Sequence, residues 1–109
     1  GTQPWALARQ LGGGGRAYRV RIDHPRERGR DFDEVVAAVR AGYPAALYIG
    51  DHVAPRHVVL AFAATPDGST LRSYDPSAGG EVAIARSAYV DAHLSVAGWD
   101  EPWLAVLPV

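Results

Sequence analysis

Apolar and polar residues follow one another along this chain with the periods of short strands and helices. Residues 17–22 place apolar side chains at even positions and arginines at 19 and 21, which is typical of a half-buried strand. Residues 45–49 predict a short apolar strand, and residues 56–64 are almost continuously apolar, which predicts a strand buried on both faces. Shorter apolar or alternating segments predict further strands at 70–74, 81–85 and 103–107.

Three segments carry the spacing and the end signals of helices. Residues 3–11 have Pro4 in the first turn and place Trp5, Ala8 and Leu11 on one stripe. Residues 31–41 begin with a capping-box pattern of Asp31 and Glu34. Residues 87–96 are predicted as a third helix, capped by a serine and stopped by a glycine.

Two turns join the central strands. Residues 65–69 have a Pro-Asp-Gly sequence, and residues 75–80 begin with Asp-Pro and end with Gly-Gly. The strands on either side should therefore form an antiparallel meander, with helices flanking it. The predicted class is α+β, and 109 residues fit one compact domain over residues 1–109.

The composition restricts the possible functions mainly through the residue types and features that the chain lacks. The chain has no Cys, so these residues contain neither a disulfide nor a thiol nucleophile. The net charge of −1 gives no general attraction to nucleic acid or to an anionic membrane. No apolar run is long enough to cross a bilayer, so we predict no membrane partner, and the composition does not indicate a cellular location.

His57 and Asp75 are the candidate site residues. His57 lies at the entrance of the most apolar strand, and Asp75 lies at the exit of the next one. With a turn centred near Asp67 and Gly68, position 57 falls opposite a residue between about 75 and 78. A carboxylate beside an imidazole can fix its tautomer and stabilise its charged form, which is the arrangement used by hydrolases with a histidine base.

The residues around this pair resemble a known family. Residues 55–61, Pro-Arg-His-Val-Val-Leu-Ala, and residues 74–79, Tyr-Asp-Pro-Ser-Ala-Gly, are similar to the bacteriocin-processing (double-glycine peptidase-like) type of papain-like cysteine peptidase. Residues 42–49 resemble the lead-in of that family, in which a Gly-x-Pro sequence precedes a strand. The resemblance implies a papain-like fold with His57 as the general base and Asp75 as its orienting acid.

The nucleophile that the resemblance implies has no counterpart in the sequence. The family carries its Cys at the start of a helix near the beginning of the fold, with an oxyanion donor just before it. Gln3 and Gln10 are present, but neither precedes a Cys. We expect residues 1–5 to correspond to a segment after the nucleophile helix, so that this chain is the C-terminal part of a larger catalytic domain. A missing N-terminal segment would carry the Cys.

The function implied is a cysteine hydrolase acting by acyl transfer on a peptide or protein substrate, inactive as this Cys-less piece. Peptide cleavage, deamidation and transglutamination all remain open. The alternative is a non-catalytic binding or structural module on the same scaffold. If the nucleophile helix is missing, the chain should expose an apolar patch or self-associate through that face.

Other constellations are weaker. Ser73 and Ser77 lack the strand–turn–helix elbow of a serine nucleophile and are assigned to a solvent-facing strand and a turn. Asp51, His52 and His57 have poor spacing for zinc, so no metal and no cofactor is predicted. Arg56 is placed on the strand face opposite His57 and given no site role.

The remaining candidate for a binding site is a segment rich in arginine, called the arginine-rich window below. Six of the eleven arginines lie between residues 16 and 30, which gives that window a charge of about +4. A nucleic-acid-binding arm would need aromatic residues between the arginines, and only Tyr18 is available. We predict a hydrated strand face and loop, and no nucleic-acid partner.

Overall fold

One antiparallel sheet of six strands, flanked by helices, is described by the computed structural model, which covers residues 3–13 and 15–109. The α-helices are α1 (Pro4–Gly12), α2 (Arg28–Arg40) and α3 (Arg86–Val90), with a 3-10 turn at Pro25–Glu27. The strands are β1 (Tyr18–Ile22), β2 (Ala45–Gly50), β3 (Pro55–Ala64), β4 (Thr70–Asp75), β5 (Gly80–Ala85) and β6 (Glu101–Pro108). The predicted α+β class is therefore confirmed. Predictions for Gly1, Thr2 and Gly14 concern positions outside the described residues.

The strand order explains which part of the topology could be predicted. The sheet runs β1-β6-β2-β3-β4-β5, and every strand pair in it is antiparallel. Strands β2 to β5 form the predicted meander, because short turns join them. β6 inserts between β1 and β2, which the local sequence did not predict. No helix in the two described segments is long and apolar enough to cross a membrane.

Each face of the sheet has its own core. The α2 face packs Phe32, Val35 and Val39 against inward residues of β2 to β6, including Leu47 and Ile49. These residues lie at helical spacing on α2 and at alternate positions on the strands, so both periods bring apolar side chains to one layer.

The α1 face is covered less completely. Leu7, Ala8 and Leu11 of α1 pack against Tyr48 and Val106 and their neighbours, yet no residue of α1 is fully buried. Trp5 was predicted to share the inward stripe, and that was wrong, because its side chain is 62% exposed. Leu7 takes the inward position that we expected Trp5 to hold.

The predicted capping box at α2 was also wrong. The helix begins at Arg28, three residues earlier than expected, so Asp31 lies inside the first turn. Asp31 is only 1% exposed and accepts a hydrogen bond from Nε of Arg21 at 3.2 Å. Its carboxylate therefore bonds to β1 and leaves the helix start uncapped.

The predicted third helix is much shorter than expected. α3 ends at Val90, and Ala92 and Ala97 then adopt left-handed backbone with φ values of 56° and 52°. Leu94 and Val96 are buried as loop residues in the α2-face core. Their apolar spacing resembled that of a helix, but tertiary burial produced it.

Several large apolar side chains are exposed on this fold. They are Trp5, Ile22, Val53, Phe62, Tyr74 and Val109. Single exposed apolar side chains are common on protein surfaces, so the expected apolar patch and self-association through it both stay predictions.

Candidate functional site

His57 and Asp75 meet at one end of the β3–β4 hairpin. Leu60 pairs with Tyr74 in the register of these strands, which brings the start of β3 beside the end of β4. Nε2 of His57 lies 2.9 Å from Oδ1 of Asp75, and the two side chains are 10% and 7% exposed. The sequence prediction that these two residues come together is confirmed.

The carboxylate of Asp75 is held by its own turn as well. Its Oδ1 accepts hydrogen bonds from the backbone N–H groups of Ser77 at 3.0 Å and Ala78 at 3.4 Å. Burial raises the pKa of Asp75, but the contact with His57 and these N–H groups outweigh that effect and leave the pKa below its usual value. Asp75 therefore stays ionised and fixed in place at neutral pH.

The contact between the two side chains is close but not linear. The Nε2–H of His57 does not point directly enough at Oδ1 to form a hydrogen bond of good geometry, although the two atoms are 2.9 Å apart. Such loose alignment is common in free enzymes and tightens when substrate is bound. The carboxylate favours a proton on Nε2, which leaves Nδ1 as the basic nitrogen.

A cavity of about 250 Å³ lies beside His57. The residues that line it are Gln3, Pro4, Tyr48, Pro55, Arg56, His57 and Val58. Two of them, Gln3 and Pro4, belong to the start of α1, where Pro4 is the first helical residue. The α1 start and His57 therefore share one cavity, although we had expected residues 1–5 to lie after the nucleophile helix.

Arg56 also lines this cavity, although no site role was predicted for it. In a regular strand, Arg56 and His57 would face opposite sides of the sheet. Here Ile49 pairs with His57 while Gly50 pairs with Pro55, so Arg56 is an extra residue in a β-bulge. The proline at the strand start was the available signal, because strand prolines concentrate at bulges and edges.

Gly50 makes this bulge sterically feasible. A Cβ atom at position 50 would collide with the backbone carbonyl of Ala54. Asp51 then closes the β2–β3 turn by accepting hydrogen bonds at 2.9 Å from the backbone N–H groups of Val53 and Ala54. The local sequence Gly-Asp thus determines the backbone path that positions Arg56 and His57.

The other candidates do not join the site. Ser77 lies in the turn as predicted, whereas Ser73 was wrongly placed facing solvent, because it is fully buried in the α2-face core. His52 is exposed in the β2–β3 turn. Within residues 3–13 and 15–109 no group of three or more His, Asp or Glu side chains is arranged to hold a metal ion.

Half of the arginines in the arginine-rich window pair with acidic residues. Arg21 contacts Asp31 at 3.1 Å and Glu34 at 3.3 Å, and Arg19 lies 3.7 Å from Glu34. These ion pairs fasten β1 to α2. They leave less free charge than the sequence window indicated.

A buried polar cluster behind this window was missed in the sequence. Tyr89 donates a 2.6 Å hydrogen bond to Oδ2 of Asp23, while Oδ1 of Asp23 and Oδ2 of Asp31 are buried without a partner. The usable signal was that Asp31 precedes Val35 by one helical turn, which places it on the apolar side of α2. The cluster lies beside α3 and shares no residue with the His57 cavity.

No family model, curated protein or solved structure matches the chain. The class that the structure defines is an α+β domain with a six-stranded antiparallel sheet and a His–Asp pair at one end of it.

The role of Asp75 in fixing the tautomer of His57 can be measured directly. We expect Asp75→Ala to convert neutral His57 from mainly the Nε2–H tautomer to a mixture, because the carboxylate no longer favours a proton on Nε2. Long-range ¹H–¹⁵N correlation spectra at pH 8 report the ratio of the two tautomers. Asp67→Ala is the matched control, because Asp67 also accepts hydrogen bonds within a turn but lies at the opposite end of β3. An unchanged ratio in Asp75→Ala would contradict the assignment.

Proposed function

We propose that this domain supplies the histidine and aspartate of a Cys-His-Asp triad in a papain-like cysteine hydrolase. The observation that carries the proposal is the 2.9 Å contact between His57 and Asp75 beside a cavity that the start of α1 also lines. A buried, anchored imidazole next to a cavity is the arrangement that nucleophilic catalysis requires of its base.

The chemistry assigned to each residue follows from the two ring nitrogens. Asp75 holds Nε2 in its protonated form, so Nδ1 is the nitrogen that accepts the thiol proton. The thiolate then attacks the carbonyl carbon of an amide, and the imidazolium returns its proton to the leaving amine. Water or a second amine releases the acyl group from sulfur, which gives hydrolysis, deamidation or transglutamination.

The thiol must come from residues outside this chain, which contains no Cys. The geometry at α1 supports a source joined directly to its N-terminal side, because Gln3 and Pro4 border the cavity. A helix start also favours the thiolate form, since its unpaired N–H groups carry partial positive charge. The assignment therefore requires a Cys within a few residues of this helix start in the longer polypeptide.

The second candidate is a non-catalytic binding module on the same scaffold. It is favoured by the fact that the residues lining the cavity, which run from Gln3 at the start of α1 to Val58 in β3, form it without any thiol. Peptide binding at the exposed edge of the cavity would then be its function. The two candidates differ in whether His57 affects the reactivity of a thiol.

The test uses the full-length polypeptide that contains this domain. We expect one Cys to react with iodoacetamide at pH 6 faster than free cysteine, and His57→Ala to lower amide-cleaving activity at least about a hundredfold. His93→Ala, at an exposed histidine on a different loop, is the matched control and should have no effect. A full-length protein without any Cys, or a thiol with ordinary reactivity in both variants, would exclude the hydrolase and leave the binding module.

A further inference from the structure

Arg56 lines the His57 cavity and carries a guanidinium that is paired with Asp51 through Nε only. The guanidinium is 44% exposed, and its Nε lies 3.3 Å from Oδ2 of Asp51. The terminal nitrogens of Arg56 form no hydrogen bond with any residue in the described segments. A planar guanidinium with two free terminal amino groups is suited to bind a carboxylate in a bidentate way.

The turn that holds Arg56 is fixed by several hydrogen bonds. Oδ1 of Asp51 accepts the N–H groups of Val53 and Ala54, which lower the pKa of Asp51. The indole N–H of Trp103 donates to the backbone carbonyl of Asp51 at 2.7 Å. Because these contacts occupy the Asp51 carboxylate and the turn backbone, the guanidinium is oriented before any ligand arrives.

None of the described residues that line the cavity is acidic. The residues around it are apolar, neutral polar or basic, and α1 has neither an acidic residue in its first turn nor a side chain capping its start. The side chain of His57 is nine-tenths buried, and its Nε2 lies 2.9 Å from Oδ1 of Asp75 without forming a hydrogen bond of good geometry. The cavity therefore combines a buried imidazole with a guanidinium whose terminal nitrogens are available to a ligand.

We propose that this cavity binds an acyl group that carries a carboxylate, with Arg56 as the specificity-determining residue. The inference rests on the proposed function, because it places the amide carbonyl of that group beside His57. The carboxylate belongs to an acidic side chain or to a free C-terminus next to that carbonyl, and both present the same planar anion to the guanidinium. A neutral amide in the same place would lose the charge-assisted contact.

Three peptides of almost equal shape test this on the isolated chain. They are N-acetylglutamate α-amide, N-acetylglutamine α-amide and N-acetylglutamine with a free C-terminal carboxylate. We expect one of the two anionic peptides to bind about tenfold more tightly than the neutral one, as a single charge-assisted pair allows. Chemical-shift titration of residues 55–58 gives the dissociation constants, and the anionic peptide that binds more tightly identifies the source of the carboxylate.

Matched variants assign the preference to Arg56. Arg56→Gln should reduce the preference to below about twofold, whereas Arg26→Gln, at an exposed position on the 3-10 turn, should retain it. Equal binding of the three peptides, absence of binding at millimolar concentration, or a preference that survives Arg56→Gln would overturn the inference. His57→Ala should retain the charge preference, so that loss of catalysis in the full-length protein and loss of carboxylate binding are separate results.

Discussion

A cysteine placed at position 3 is expected to react with iodoacetamide at pH 6 about ten times faster than a cysteine placed at position 10. Gln3 borders the cavity that contains His57, whereas Gln10 is exposed further along α1. The Gln3 side chain makes no capping hydrogen bond, so Gln3→Cys should cost little stability. The pair Gln3→Cys and Gln10→Cys therefore compares one thiol in two settings on one helix.

The expected factor follows from thiolate population and nucleophilicity. A thiol with a pKa of about 8.5 is about 0.3% ionised at pH 6, whereas one with a pKa of about 6.5, as beside a histidine, is about 24% ionised. The lower basicity reduces the intrinsic reactivity of the thiolate about eightfold, so the net gain is about tenfold. Alkylation rates measured from pH 5 to pH 9 give both the ionisation midpoint and the limiting rate.

The double variant Gln3→Cys/His57→Ala separates the histidine from the helix start. Removal of the imidazole should return most of the rate to that of Gln10→Cys, while any remaining difference measures the effect of the helix N-terminus. If the two single variants alkylate at the same rate with the same pH midpoint, His57 is not accessible from the start of α1. The proposed position of the nucleophile would then be wrong.

The sequence predicted those parts of the fold that depend on neighbouring residues. The turn at Asp67 and Gly68 fixes the β3–β4 register, so the meeting of His57 and Asp75 could be derived from local spacing. All six strands were found with ends within two residues of those observed. Alternation of side chains and turn residues were sufficient for these predictions because both act over a few residues.

The predictions that were wrong or missing concern features that depend on contacts between residues distant in the sequence. The position of β6 between β1 and β2 depends on which apolar faces fit together after the chain folds back. No site role was predicted for Arg56, because the bulge that contains it depends on how β2 pairs with β3. Asp31 was taken for a helix cap because its burial depends on Arg21, ten residues earlier. Each error lies where a long-range contact overrides a local preference.

The buried cluster at α3 gives the second large effect, which concerns stability. Burial and the nearby charge of Asp31 raise the pKa of Asp23 to about 6, although the Tyr89 hydrogen bond and the charge of Arg28 lower it. Arg21 and Glu34 also face Asp31, and their ion pair completes the charged surroundings of the cluster. Ionisation of Asp23 therefore places a second carboxylate against Asp31 in a poorly hydrated site.

The direction of the pH dependence follows from the raised pKa. The usual pKa is 3.8, so the contribution of Asp23 to folding is complete below pH 3.8 and is lost as the pH rises through about 6. The difference between the two values corresponds to about 3 kcal/mol of stability lost by pH 7. At a pH below the raised pKa of Asp23, a proton shared between Oδ1 of Asp23 and Oδ2 of Asp31 would satisfy both unpartnered oxygens.

Asp23→Asn is accordingly expected to stabilise the domain at pH 7 by about 2 kcal/mol and to leave it unchanged at pH 4. The amide group of asparagine can accept the Tyr89 hydrogen bond and donate to Asp31 without acquiring a charge. Urea unfolding followed by circular dichroism at both pH values measures the difference. Asp91→Asn, at an exposed aspartate, is the control and should change stability by less than about 0.5 kcal/mol at either pH.

A loss of stability in Asp23→Asn at pH 7 would mean that the ionised carboxylate is favoured in the folded protein. An unsatisfied Oδ2 on Asp31 would then need another partner, since asparagine would have failed to supply one. The outcome also bears on the architecture, because Asp23 directly follows β1, Asp31 lies in the first turn of α2 and Tyr89 belongs to α3. The protonation state of one carboxyl group thus determines how firmly two helices are joined to the edge strand of the sheet.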